Sequence, residues 1–178
     1  MNEEGQSAAD SNFAALLEIL DGTPGKLARL TEGLSTPGLR WKNSEDEFST
    51  LENFCHLRDL ELDGYTRRIN QILTESDPLL ADFDGARVAA KSNYNNQQPQ
   101  VALQIFQTAR RKNVEMLRSL TEEQLERGGT LAAVGKVTLR RLAVMMREHD
   151  EGHLEDVRVL RQRLERQRSQ TSIGIVRP

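Results

Sequence analysis

The stretch VMMREHDEGHLEDV, residues 144–157, places His149 and His153 four positions apart. On an α-helix, residues at that spacing project from one face, so both imidazoles can reach one ion without backbone distortion. This is half of a metal site. The pair also lies on the apolar line of its segment, in series with Leu139, Leu142, Met146, Val157, Leu160 and Leu164. A buried ring with no partner there costs about 1 to 3 kcal/mol, a cost that a metal, or a neighbouring carboxylate, would remove.

The remaining histidine, His56, lies in a separate amphipathic segment. A third neutral nitrogen from that segment would complete a three-histidine site with an open position, the arrangement that suits catalytic zinc and is acceptable to nickel or iron. A helical wheel puts the apolar stripe of this segment at Leu51, Cys55, Leu62, Ile69 and Leu73, with His56 well around from it beside Glu52, Asp59, Leu60 and Asp63. Two readings stay open: a solvated charged face, or a second contact face whose carboxylates orient a ligating ring by accepting its other N–H. Two rival metal motifs fail. HDEGH has Asp150 where the HExxH peptidase motif needs a glutamate, and a di-iron bundle needs two ExxH pairs, of which Asp150 to His153 is the nearest match and has no second copy.

These residues need rigid elements to position them. Phe13, Leu16, Leu17, Leu20, Leu27 and Leu30 predict a first helix in two parts, with a kink at Pro24. GLSTPGLRWKNSEDEF reads as a loop, with Trp41 as a cover over the bundle end. Ser49 followed by Glu52 is a capping box, and it opens a second helix running to about Glu75. Residues 76–100 are too polar and turn-rich for a packed element. A loop of that length is often functional, and the segment is expected to shape the mouth of a pocket. Ala102, Ile105, Phe106, Ala109, Met116, Leu117 and Leu120 mark a third helix; Thr121 and Gln124 cap a short one; GGTLAAVGKV connects to the fourth. The fold expected is all-α, a four-helix bundle with a long crossover connection between helices 2 and 3. It is a single domain over residues 11–165, between a flexible N-terminus (1–10) and a flexible C-terminal tail (166–178).

Bulk properties narrow the function. An aromatic share of 4% against 37% apolar suits a leucine-rich helical core. A net charge of −3 argues against nucleic-acid binding, which needs a positive docking face. One cysteine, an acidic polar N-terminus and no long apolar run give no support for secretion or a membrane span, so the expected location is the cytoplasm. Cys55 sits on the apolar stripe and reads as a small buried residue. Arg110, Arg111 and Lys112 read as a solvated basic face; Asn113 reads either as facing a cavity or as a buried amide with a local partner.

STLENFCHLRDLE, with His56, Asp59 and Glu61, and LRRLAVMMREHDEGHLEDV, with His149 and His153, together resemble the DinB-like superfamily of metal-binding four-helix bundles. LARLTEGLSTPGLRWK resembles the first helix and following loop of that family. Many members open the second helix with tryptophan and serine or threonine; here Phe48 precedes Ser49. The resemblance implies His56, His149 and His153 as ligands of one divalent ion, zinc or nickel, and an activity among metal-dependent hydrolases and thiol-transferases. Three neutral imidazoles leave the ion its full charge, so a thiol bound to it becomes thiolate and a water is acidified toward a pKa of about 7. The expected activity is thereby transfer of a low-molecular-weight thiol to a small-molecule substrate, or hydrolysis through metal-bound hydroxide. Asp59, Asp63 and Asp150 are the candidate supporting carboxylates, and a homodimer is an expected assembly. The alternative is a non-catalytic bundle that binds a small molecule or a partner protein.

Overall fold

The computed structural model describes residues 3–174, with side chains over 12–170. Four long helical stretches form a bundle. They are α1 (Glu3–Thr31), α3 (Thr50–Asp59) continued through a π-helical turn (Leu60–Tyr65) into α4 (Thr66–Thr74), α6 (Pro99–Arg118) and α8 (Leu139–Gly174). Shorter pieces join them: α2 (Thr36–Arg40), β1 (Leu79–Leu80), α5 (Gly85–Ser92), α7 (Glu122–Leu125), β2 (Gly128–Leu131) and β3 (Gly135–Thr138). α1 packs on α8 and α6, and α3 packs on α6 and α8. α1 begins at Glu3, and α8 continues to Gly174, past Leu164 at the end of its buried apolar line, with Arg161 donating to Glu165. Residues 1–2 and 175–178 lie outside the described residues.

The first helix is not broken at Pro24. α1 passes through it. Proline cannot donate to the carbonyl four residues back, and that carbonyl, Leu20 O, instead accepts from Arg110 Nη1 at 3.2 Å. The helix is kept whole by a side chain from another element.

The capping box at Ser49 forms in both directions: Ser49 Oγ accepts from the Glu52 amide, and Glu52 accepts from the Ser49 amide. Further along, the π-helical turn inserts an extra residue per turn and rotates everything beyond it. Leu62, expected on the stripe, is therefore 41% exposed, and Glu61 takes the buried place. Gly64 permits the distortion, since a Cβ there would lie 2.6 Å from Leu60 Cδ1.

The connection GGTLAAVGKV is a hairpin. β2 and β3 pair antiparallel, Gly135 takes the positive φ of +92° at the turn, and β1 adds in parallel to β2. The result is a small three-stranded sheet at the foot of an otherwise helical molecule.

Residues 76–98 are better ordered than their composition suggests. Arg68 donates twice to Ala81 O, Tyr94 Oη donates to Asp59, Gln97 accepts from Arg58, and Asn95 accepts from Ser49 Oγ. The segment thus leaves the end of α4 and returns along the second helix to its cap. α5 rides on it with no buried residue.

The apolar core falls into two clusters. One gathers Leu17, Leu20, Ile69, Leu117, Leu142 and Met146; the other gathers Leu27, Leu51, Phe54, Phe106, Leu154 and Val157. On α6 and α8 the boundary between them is occupied by Arg110 and Asn113, and by His149, Asp150 and His153. A polar layer crosses the bundle there. Each fully buried leucine on either side contributes about 1.5 to 3 kcal/mol, so the layer is held in a rigid apolar frame.

Candidate metal centre

His56 comes from α3 and His149 and His153 from α8, and the packing of these two helices brings the rings together. Nε2 of His149 lies 3.2 Å from Nε2 of His56 and 3.2 Å from Nε2 of His153. All three ligand atoms fall within 4.8 Å of one another. Nitrogens bound tetrahedrally to an ion at 2.0–2.1 Å sit about 3.3 Å apart, so the spacing of both neighbouring pairs fits a cation between them. Burial first, and the nearby imidazoles second, push all three rings down to about 4, with Asp59 or Asp150 partly opposing. They are neutral near pH 7 and have lone pairs to give.

One ring has its tautomer fixed by protein. Asn53 Nδ2 donates to Ser49 O at 2.9 Å, which turns Oδ1 toward His153 Nδ1 at 2.6 Å. Nδ1 therefore carries the proton and Nε2 presents its lone pair to the cluster. Nδ1 of His56 and of His149 are buried and have no hydrogen-bond partner. His56 instead is packed between two rings, Phe48 at 5.6 Å and Phe83 at 5.8 Å between centroids. The solvated-face reading of His56 is overturned: the ring is 8% exposed, because the 76–98 segment covers the side of α3 that a wheel leaves open.

The three candidate supporting carboxylates are placed elsewhere, and none accepts a hydrogen bond from a histidine. Asp59 is taken by Arg58 at 2.6 Å and by Tyr94 Oη at 2.7 Å. Asp63 is exposed, turned out by the π-helical turn. Asp150 belongs to a buried ion cluster. Arg110, also misread as part of a solvated face, is 1% exposed and forks onto both oxygens of Asp150 at 2.5 and 3.1 Å while donating to Glu61 at 2.8 Å. Burial works against the charge on Arg110, but Glu61 and Asp150 more than offset it and raise its pKa. Asn113 donates to Glu61 at 2.7 Å and to Thr66 at 2.9 Å, so it is the buried amide. Cys55 is fully buried, and desolvation pushes its thiol up to about 11.

Sequence reasoning missed Asn53, Glu61 and Phe83. Asn53 had a usable signal, standing one turn before His56 on the same face; the other two depend on the π-helical turn and on the path of the 76–98 segment.

Beside the histidines lies a cleft of about 520 Å³ whose walls include Phe48, Asn53, Ala86, Asp156, Leu160 and Arg163. Phe48 and Asn53 touch the cluster directly, so the cleft opens at its edge.

A four-helix bundle with three imidazoles gathered from two of its helices defines the class. The chain belongs to the DinB superfamily, whose family model matches residues 19–157. No curated protein matches it. Among solved structures it is similar to YfiT from Bacillus subtilis, described as a probable metal-dependent hydrolase with an unusual four-helix bundle topology. The TM-score is 0.80 at 20% sequence identity, over 93% of this chain and 90% of that one. Among the described residues, no helix is long and apolar enough to cross a membrane.

Proposed function

We propose that this chain is a divalent-metal-dependent enzyme acting on a small molecule, with His56, His149 and His153 as the protein ligands. The observation that carries the reading is the convergence of three neutral Nε2 atoms at ligand spacing. Three imidazoles suit zinc or nickel. Bound there, such an ion supplies Lewis acidity, lowering the pKa of a thiol or water that it takes up.

The chain's own residues do the rest. Asn53 holds the His153 proton on Nδ1; Phe48 and Phe83 keep water from the flank of His56; the cleft beside Asn53 receives the substrate. Its volume falls in the range of small-molecule sites.

Transfer of a low-molecular-weight thiol is preferred over hydrolysis. Among the described residues Asp59 and Asp150 are both held by arginines, and Asp156 approaches His153 at 3.9 Å from Nδ1, the side of the ring away from the cluster. The ion would activate a bound thiol or a bound water alike, so the preference for the thiol rests on the likeness to the family rather than on the carboxylates. The resemblance of YfiT to this fold supports the hydrolytic reading as the second candidate.

Metal analysis of protein purified without an affinity tag should give about one ion per chain. A screen of small thiols with a model electrophile should then show turnover that His149→Ala abolishes. Substoichiometric metal that added zinc or nickel does not raise would overturn the enzyme reading, and turnover indifferent to His149→Ala would place the activity elsewhere.

A further inference from the structure

Gly85 opens α5 directly over His56. Backbone conformation does not demand a glycine there, since the glycines with positive φ among the described residues are Gly33 and Gly135. Space does. A Cβ at position 85 would stand 2.4 Å from Cε1 and 2.7 Å from Nδ1 of His56, and 3.6 Å from Cε1 of Phe83. Such contacts are far inside van der Waals range, so either the imidazole turns or α5 lifts. The ring is the softer partner in one respect: its Nδ1 has no hydrogen bond to hold it, unlike that of His153. It is also trapped, with Phe48 and Phe83 on its flanks. On the Nδ1 side its orientation is therefore set by packing, and Gly85 forms one wall of that packing. Ala86, the next residue, lines the substrate cleft.

From this we propose that Gly85 is a positioning residue for the metal centre: its missing side chain lets His56 direct Nε2 toward His149 and His153, and so sets metal affinity. This inference rests on the three-histidine reading above. The main-chain segment 81–86 would then have two duties, aligning a ligand with one residue and shaping the cleft with the next.

The test compares Gly85→Ala with the parent chain, each stripped with a chelator and titrated with Zn(II) against a chromophoric competitor, and with Co(II) followed by its visible absorption. Gly152→Ala serves as the control, because a Cβ there meets nothing within 4 Å. Gly85→Ala should weaken zinc binding at least tenfold and shift the Co(II) bands toward those of His56→Ala, while Gly152→Ala should do neither. Added to His56→Ala, the Gly85 change should cause no further loss. Since α5 buries no residue, the stripped variant should keep its helical circular dichroism. Unchanged affinity in Gly85→Ala would show that α5 lifts and would sink the proposal, as would an equal loss in the His56→Ala background. If the parent chain takes up neither ion, the metal reading itself fails and takes this inference with it.

Discussion

Two polar clusters sit one residue apart on α8, and they are built on opposite terms. His149 looks toward His56 and His153; its neighbour Asp150 looks toward Arg110 and Glu61. In the ion cluster every charge is answered, although Arg110 Nε has no hydrogen-bond partner: Asp150 is forked by one guanidinium, and Glu61 accepts from both Arg110 and Asn113. In the histidine cluster three neutral rings bring their Nε2 atoms together with no counter-charge, and two have no partner for the other nitrogen. A satisfied buried network fixes structure, while an unsatisfied one has capacity for something that arrives from outside. The contrast teaches that burial and polarity alone do not mark a functional site; convergence of several neutral donor atoms without a counter-charge does.

The largest effect should come from breaking the satisfied cluster. Arg110→Met leaves two buried carboxylates without a counter-charge and Leu20 O without its donor. Removing one partner from such an arrangement costs about 3 to 5 kcal/mol, so the thermal midpoint should fall by roughly 10 °C or more. Replacing Glu61, Arg110 and Asp150 together by apolar residues of similar size should recover much of that loss. If Arg110→Met melts like the parent, the cluster is not the structural element that its hydrogen bonds indicate.

The histidine cluster should behave inversely, tolerating removal and responding to acid. The three rings are held near 4 in the folded chain against an ordinary value of about 6.5, so the unfolded chain binds more protons between those limits. Stability of the metal-free protein should therefore fall as pH drops from about 6.5 to about 4, by up to roughly 3 kcal/mol for each ring, and should not depend on these groups above that window. Chemical denaturation at pH 7.5 and pH 5 measures it. His149→Ala should flatten the profile, and bound zinc should protect the fold in the same window because metal and proton compete for the same lone pairs. A profile equally steep in His149→Ala would assign the acid sensitivity to other groups.

The sequence carried the ends of this comparison unequally. His149 and His153 were legible because four-residue spacing on a regular helix leaves no choice of face. His56 was ambiguous, since its burial comes from Phe83 and Gly85, which reach it only through a long connection whose path no periodicity encodes. The ion cluster was not legible as a unit. Arg110 lay in a run of three cations that resembles a solvated face, and the burial of Glu61 depends on a π-helical turn that a uniform 3.6-residue period does not show, the same turn that moves Leu62 off the expected stripe. Pro24 was read as a break because the donor that rescues Leu20 O comes from a helix some ninety residues further on. Local signals, such as the caps at Ser49 and Thr121, came through intact.

The smallest effect tests where the two kinds of cluster meet, at Asn53. Its side chain is fully satisfied, donating to Ser49 O and accepting from His153, yet it serves the unsatisfied site by fixing which nitrogen of His153 is free. Loss of such an orienting partner typically weakens metal binding by roughly 10- to 100-fold. Asn53→Ala should fall in that range. Asn53→Asp separates the two duties: the carboxylate can still accept from Nδ1 but cannot donate to Ser49 O, so it should retain more zinc affinity than Asn53→Ala while losing some stability. Equal zinc affinities for the two variants would mean that acceptance from Nδ1 contributes nothing, and that the metal alone selects the tautomer of all three rings.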